Sequence, residues 1–361
     1  MIPSLLHSCL AMALVSVVWG SANANGQVYV TRRTTADLPF APDVFRYDLG
    51  GQLVATGPNC CSSTWYEGVT VADQRVFVAD WTMGIGRIFQ FDLELQTVAE
   101  LVGFDRQLGY TLPTGLATGP DGSLFAAGMA YPSPSPRGQI FRFDADTGQS
   151  IGSEPFVALG AGGLRVPFDL EFGPDGNLYV SDRGFDSSLF TEDPGPGRVL
   201  RFDGQTGAFI DEFIRFVDRS PTGLAFLPTG VLLVASGNQV LRFDPDGSFL
   251  GNLVDDPSPV ALDLRDIELG PGGDLLAASP GFHTVLRYRA TDGSRVGEFT
   301  RGGRAEFGFS SPQYLWAQST SIPEPADGGR IVGTTLALLV IGTCSVVGRR
   351  SRGRTVATVL S

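Results

Sequence analysis

Phe168-Asp169-Leu170-Glu171-Phe172, Gly173-Pro174-Asp175-Gly176 and Asn177-Leu178-Tyr179-Val180-Ser181-Asp182 form one continuous stretch. After a loop come Arg198-Val199-Leu200-Arg201-Phe202-Asp203, Gly204-Gln205-Thr206-Gly207 and Ala208-Phe209-Ile210. Short runs rich in Val, Leu, Tyr and Phe, punctuated by Asp-Gly and Thr-Gly, read as strand, tight turn, strand, loop, strand, tight turn, strand. The glycines supply the positive φ that short hairpins demand.

The same unit recurs in residues 116–127 with 139–144, 224–236 with 239–244, 267–279 with 284–288, and 69–80 with 87–92. Aligning the first turns on Ala72, Pro120, Pro174, Pro228 and Pro271 gives steps of 48, 54, 54 and 43 residues. A four-stranded propeller blade takes about 40–45 residues, and the excess here is loop. A sixth unit is split between the ends of the repeat region. Tyr314-Leu315-Trp316-Ala317 supplies one strand, and Gln27-Val28-Tyr29-Val30, Val44-Phe45-Arg46-Tyr47-Asp48 and Gln52-Leu53-Val54-Ala55 supply the others. Pairing the two ends in one blade would remove the open edges of a partial ring. The expectation is an all-β, six-bladed β-propeller over residues 25–320.

These repeats, with Gly-Pro-Asp-Gly at 173–176, Leu178-Tyr179-Val180 and Asp182 after it, and Arg201-Phe202-Asp203 before Thr206-Gly207, resemble NHL-repeat and related gluconolactonase-like propellers across roughly residues 27–318. The resemblance implies the fold. It also implies a ligand face made of the loops that enter each innermost strand and those joining second to third strands. It says little about activity, because propellers host many functions.

Composition narrows the chemistry. All 26 basic residues of the 361 are arginine, the net charge is −12, and the histidines are His7 and His283. The absence of lysine excludes Schiff-base chemistry and a phosphate loop ending in Gly-Lys-Ser/Thr. One histidine outside the leader cannot build a multi-histidine metal site. The acidic balance argues against nucleic acid.

The ends read as addresses. Residues 1–24 carry an apolar run followed by Ala22-Asn23-Ala24, the pattern of a secretory signal peptide. Residues 331–348 are 18 uncharged residues, about 27 Å as a helix and just enough to span a bilayer core. The basic tail 349–361, with Arg349, Arg350, Arg352 and Arg354, stays cytoplasmic and leaves the body outside. In the linker 321–330, Pro323-Glu324-Pro325 precedes the span. The order Pro-Glu-Pro, span, arginine cluster resembles the PEP-CTERM sorting signal of bacteria, which implies processing by exosortase, a membrane cysteine protease/transpeptidase. Without both ends, residues 25–325 hold 21 arginines against 37 acids, a charge of −16.

Candidate site residues follow from the repeat alignment. One column at the start of the inner strand reads Glu67, Gly115, Asp169, Gly223, Asp266 and Gln313, with carboxylates in alternate blades. Glu67, Asp169 and Asp266 converging on the channel could bind Ca²⁺, or each acid could tie adjacent blades to backbone N–H groups. Asp182 and His283 join the candidate binding residues on the same face; a lone histidine can be a general base. Glu67-Gly68 is similar to the first blade of calcium-dependent lactonase propellers, but Thr114-Gly115 and Thr222-Gly223 stand where those enzymes carry Asn-Gly. Cys60 and Cys61 are adjacent; outside the cell they could form a vicinal disulfide, remain thiols or bridge to other chains. The long loops 128–138 and 183–197 carry Tyr131, Phe185 and Phe190 and suit recognition of a carbohydrate or protein. The leading expectation is an exported binding propeller of the cell surface or extracellular matrix. The alternative is a lactonase-like or lyase enzyme acting on extracellular sugars.

Overall fold

The computed structural model describes residues 27–33, 44–58, 66–82, 85–104, 111–130, 137–152, 155–184, 196–217, 219–256, 262–270, 272–300 and 311–317, all within the unit Ser21–Gly329. The expected signal peptide, Pro323-Glu324-Pro325, the span 331–348, the basic tail, Cys60 and Cys61 lie outside the described residues. Among the described residues no helix is long and apolar enough to cross a membrane.

The chain begins with β1 (Gln27–Arg33), β2 (Val44–Asp48) and β3 (Leu53–Thr56). Blade 1 is the antiparallel meander β4 (Tyr66–Ala72), β5 (Arg75–Thr82), β6 (Ile85–Asp92) and β7 (Val98–Phe104). Blade 2 is β8 (Thr111–Thr118), β9 (Leu124–Ala130) and β10 (Gly138–Phe143). Blade 3 is β11 (Pro167–Phe172), β12 (Leu178–Asp182), β13 (Arg198–Phe202) and β14 (Phe209–Arg215); blade 4 is β15 (Leu224–Phe226), β16 (Leu232–Ser236), β17 (Gln239–Phe243) and β18 (Phe249–Asp255). Blade 5 is β19 (Asp266–Leu269), β20 (Asp274–Ser279), β21 (Thr284–Arg289) and β22 (Arg295–Glu298). The last strand, β23 (Ser311–Ala317), pairs with β1 to complete blade 6 in the order β23-β1-β2-β3. The innermost strands touch in the sequence β4, β8, β11, β15, β19, β23 and back to β4, so the ring is closed.

The core lies between blades. Phe104 and Val102 of blade 1 meet Phe141 and Phe143 of blade 2, and Phe125 and Ile140 of blade 2 meet Leu178, Leu200 and Phe202 of blade 3. Equivalent clusters join blades 3 to 4, 4 to 5, 5 to 6 and 6 to 1. The middle strands such as β9, β12 and β16 are therefore buried on both faces and show little alternation, whereas outer strands such as β3 and β22 are largely exposed.

Two features depart from the repeat. Among the described residues blade 2 has three strands. Its outer position, among the described residues, carries the isolated bridges Ile140↔Val157 and Phe143↔Ser150. Blade 1 has a two-residue first turn, Asp73-Gln74 at φ 45° and 60°, where blade 2 uses residues 119–123 between paired Thr118 and Leu124. The sequence signal there is weak because neither turn residue is glycine.

Candidate functional site

The inner strands of blades 1, 2 and 3 open with the same β-bulge. Glu67 and Gly68 fall between the pairs Tyr66↔Asp80 and Val69↔Val78; Thr114 and Gly115 between Pro113↔Gly128 and Leu116↔Ala126; Phe168 and Asp169 between Pro167↔Asp182 and Leu170↔Val180. Leu224↔Val234 and Ile267↔Ala277 extend the register to blades 4 and 5. The level row is therefore Gly68, Gly115, Asp169, Gly223 and Asp266. Glu67 stands one residue earlier, beside Thr114 and Phe168. The expected column of three alternating carboxylates is corrected to two, because the shorter Asp73-Gln74 turn shifts blade 1 by one residue.

Both remaining aspartates clasp the next blade. Asp169 Oδ1 accepts from Leu170 N at 2.8 Å and Oδ2 from Leu224 N of blade 4 at 2.8 Å. Asp266 Oδ1 accepts from Ile267 N and Oδ2 from Leu315 N of blade 6, both at 2.9 Å. Threonines do the same work elsewhere in the ring. Thr114 Oγ1 donates to Pro167 O at 2.9 Å, Thr222 Oγ1 to Leu264 O at 2.8 Å, and Thr31 Oγ1 to Glu67 O at 2.6 Å. Glycine at the level row lets the neighbouring backbone approach. A Cβ on Gly223 would lie 2.6 Å from Asp266 Cα and from Ile267 N.

Phe168 does what no local pattern announces. It belongs to blade 3, yet it is buried in the apolar cluster of blades 6 and 1 with Tyr29, Val44 and Val69. Blade 6 is diametrically opposite blade 3, so the ring reaches across the channel at the end where inner strands begin. Arg183 and Arg265 both stack against it, with guanidinium carbons 5.1 and 5.7 Å from the ring centroid.

Farther along the inner strands, Asp169 and Glu171 of blade 3 interact electrostatically with Asp266 and Glu268 of blade 5. Blades 3 and 5 are not neighbours, so these acids face one another over the channel. Burial, reinforced by the charge of Asp169, pushes the Glu171 carboxyl up to about 8. Glu268 is raised by burial and then by Glu171, Asp266 and Asp169. Burial also pushes the Asp169 carboxyl up to about 7 and raises Asp266, against the two backbone N–H bonds each accepts, and the like charges of the four acids oppose their full ionisation. Their signal in the sequence is a repeated acid-x-acid, Asp169-Leu170-Glu171 and Asp266-Ile267-Glu268, whose i, i+2 spacing places both acids on one side of a strand.

Asp182 is 1% exposed; Oδ1 accepts from Val166 N at 2.8 Å and Oδ2 pairs with Arg198 Nη2. Blade 1 repeats the arrangement, with Arg87 Nε and Nη2 donating to Asp80 Oδ2 at 3.0 and 2.7 Å. His283 ends a short 3₁₀ turn, Pro280–Phe282, in the left-handed region at φ 55°, and its N–H donates to Pro280 O at 3.1 Å. No group of three or more His, Cys, Asp or Glu among the described residues is arranged to hold a metal ion.

No protein-family model matches the sequence, and no curated protein does. Solved structures do share the fold. A chain of a nidogen/laminin complex is 13% identical with a TM-score of 0.55, covering 81% of this chain and 97% of that one. A protein of unknown function from Bacteroides caccae is 13% identical with a TM-score of 0.56, covering 81% and 99%. A gluconolactonase from Xanthomonas campestris is 21% identical with a TM-score of 0.51, covering 80% and 91%. At these identities the likeness is one of architecture.

Proposed function

We propose that this chain is an exported, non-enzymatic β-propeller of the cell surface or extracellular matrix, sorted through Pro323-Glu324-Pro325, the span 331–348 and the arginine cluster by an exosortase. In this reading the propeller binds a carbohydrate or protein partner at the face where inner strands begin. The observation that carries the binding part is the use of the channel-mouth acids. Asp169 and Asp266 give both carboxylate oxygens to backbone N–H groups, and Phe168 lies across the channel above them. Those carboxylates join blades, so in this reading the face serves recognition. The same architecture occurs in a nidogen/laminin complex, which is consistent with a binding role.

Expression of the full chain in a host carrying an exosortase tests the sorting. The protein is expected in the matrix fraction with a C-terminus upstream of Arg349. Replacing Pro323, Glu324 and Pro325 with alanine is expected to retain it in the membrane. Matrix protein that still ends in Ser361 would overturn the sorting. Thermal unfolding with Ca²⁺ and with chelator separates the lactonase-like alternative, since a cation-dependent enzyme would gain several degrees from Ca²⁺.

A further inference from the structure

Five blades carry an arginine at one level of the third strand: Arg142 in blade 2, Arg201 in blade 3, Arg242 in blade 4, Arg287 in blade 5 and Arg46 in blade 6. Four of them are held by carboxylates, from four different places. Asp121, in the first turn of blade 2, pairs with Arg142 Nη2. Asp211, opposite Arg201 on the outer strand of blade 3, accepts from its Nε and Nη2 at 3.1 and 2.5 Å. Asp274, at the head of β20, accepts from Arg287 Nε at 2.6 Å. Glu94, in a turn of the blade that follows blade 6, accepts from Arg46 Nη2 at 2.5 Å.

Blade 4 fills none of these places with an acid. Thr229 stands where blade 2 has Asp121, Val231 where blade 5 has Asp274, and Thr291 of the next blade where blade 1 has Glu94. Opposite Arg242 on β18 is Gly251. Among the described residues Arg242 makes no hydrogen bond or ion pair, and its Nε is buried. A buried donor without an acceptor is costly and rare. The residue as a whole is only half-buried, so its fork can be reached. Gly251 leaves the way open. A Cβ there would lie 3.6 Å from Arg242 Nη2, and among the described residues nothing else comes within 4 Å of that point. The guanidinium therefore lies over β18, the last strand of its sheet. Leu250, beside the notch, is 48% exposed. Asp211 of blade 3 shows what such a fork takes at this level: one carboxylate, held by two N–H groups.

We propose that Arg242 is a docking point for a carboxylate that this chain does not supply, an aspartate or glutamate side chain on an extended segment of a partner protein that pairs with the outer edge of β18. On a strand added there, a side chain opposite Gly251 starts about 5 Å from the glycine's Cβ position, within reach of the guanidinium. A single acid among uncharged residues is the matching chemistry, because the charge of −16 on residues 25–325 repels an acidic run. The site lies on the outer half of blade 4 and does not depend on binding at the channel mouth.

Fluorescence anisotropy of the full chain with a dye-labelled, amidated Thr-Val-Asp-Val-Thr peptide and its asparagine counterpart tests the proposal. The aspartate peptide is expected to bind about tenfold more tightly than the asparagine one. Arg242→Gln should remove that preference. Thr229→Asp gives blade 4 the turn acid of blade 2; it should also remove the preference, by filling the fork from within, and raise the thermal midpoint. Arg242→Lys keeps the charge but loses the fork, and should lose most of the preference. Equal affinity of the two peptides, or a preference that survives Arg242→Gln or Thr229→Asp, would overturn the docking point. Acetate that displaces the labelled peptide as effectively as the unlabelled peptide would overturn the strand-borne partner, since acetate cannot pair with β18. Thermal midpoints of the variants verify folding. Thr229 is exposed in its turn, so Thr229→Asp decides should Arg242→Gln not fold.

Discussion

Glu171 and Glu268 sit on the inner strands of blades 3 and 5, on either side of Ala225 of blade 4, which occupies the equivalent register. Glu171 feels the charge of Asp169, and Glu268 feels Glu171, Asp266 and Asp169 against one hydrogen bond from the Leu269 N–H. The consequence is a pH dependence with a definite sign. An unfolded glutamate titrates near about 4.3, whereas Glu171 in the fold titrates at about 8. Between those values the folded protein binds more protons than the unfolded chain, so stability falls as pH rises. The contribution is fully present below the unfolded value and lost as pH passes through the folded one. Glu171→Gln should therefore stabilise the propeller at pH 8.5 by roughly 1–2 kcal/mol, with the gain vanishing near pH 4 where both side chains are neutral. Urea denaturation at the two pH values checks this. An equal effect at both would show that the channel does not hold a proton at Glu171.

At the scale of the element, the inter-blade seam is set by which residue fills the level row. Gly115 and Gly223 admit the backbone of the following blade, while Asp169 and Asp266 bind it. Gly223→Ala would force a Cβ to within 2.6 Å of backbone atoms at Asp266 and Ile267. No flexible side chain can yield there, so a loss of about 2–3 kcal/mol is expected by chemical denaturation. A change below about 0.5 kcal/mol would mean that the seam is looser than its geometry. The strands and the Gly-rich turns were legible because they are local. Asp-Gly and Thr-Gly demand turns, and runs such as Leu178-Tyr179-Val180 demand strands. The level of Glu67 was not legible, because Asp73-Gln74 achieves a two-residue turn without glycine and hides a one-residue shift. The outer position of blade 2 was also not legible, since among the described residues it holds isolated bridges at Ser150 and Val157. Phe168 was invisible for a different reason. Its partners come from blades 1 and 6, far away in sequence, and nothing near residue 168 encodes them.

For the whole molecule, closure depends on one strand from near the end of the repeat region. β23 pairs with β1, covers its hydrogen-bonding edge and contributes Leu315, 1% exposed, to the cluster between blades 5 and 6. Leu315 N also satisfies Asp266 Oδ2, so the same residue completes the clasp from blade 5. A chain ending at residue 310 would lose the apolar contact, the β1 ladder and the partner of a buried carboxylate together. Truncating a buried leucine costs about 2–5 kcal/mol and orphaning a buried charged acceptor about 1–3 kcal/mol more. The deletion should therefore destabilise the whole ring by more than about 4 kcal/mol rather than loosen blade 6 alone, because each blade's core is shared with its neighbours. Hydrogen exchange distinguishes the two outcomes. Faster exchange in every blade is expected of the shortened chain, including blades 2 and 3 on the far side. Protection lost only in β1, β2 and β3, with the other blades unchanged, would show that the blades are stable independently and that closure is not what holds the propeller together.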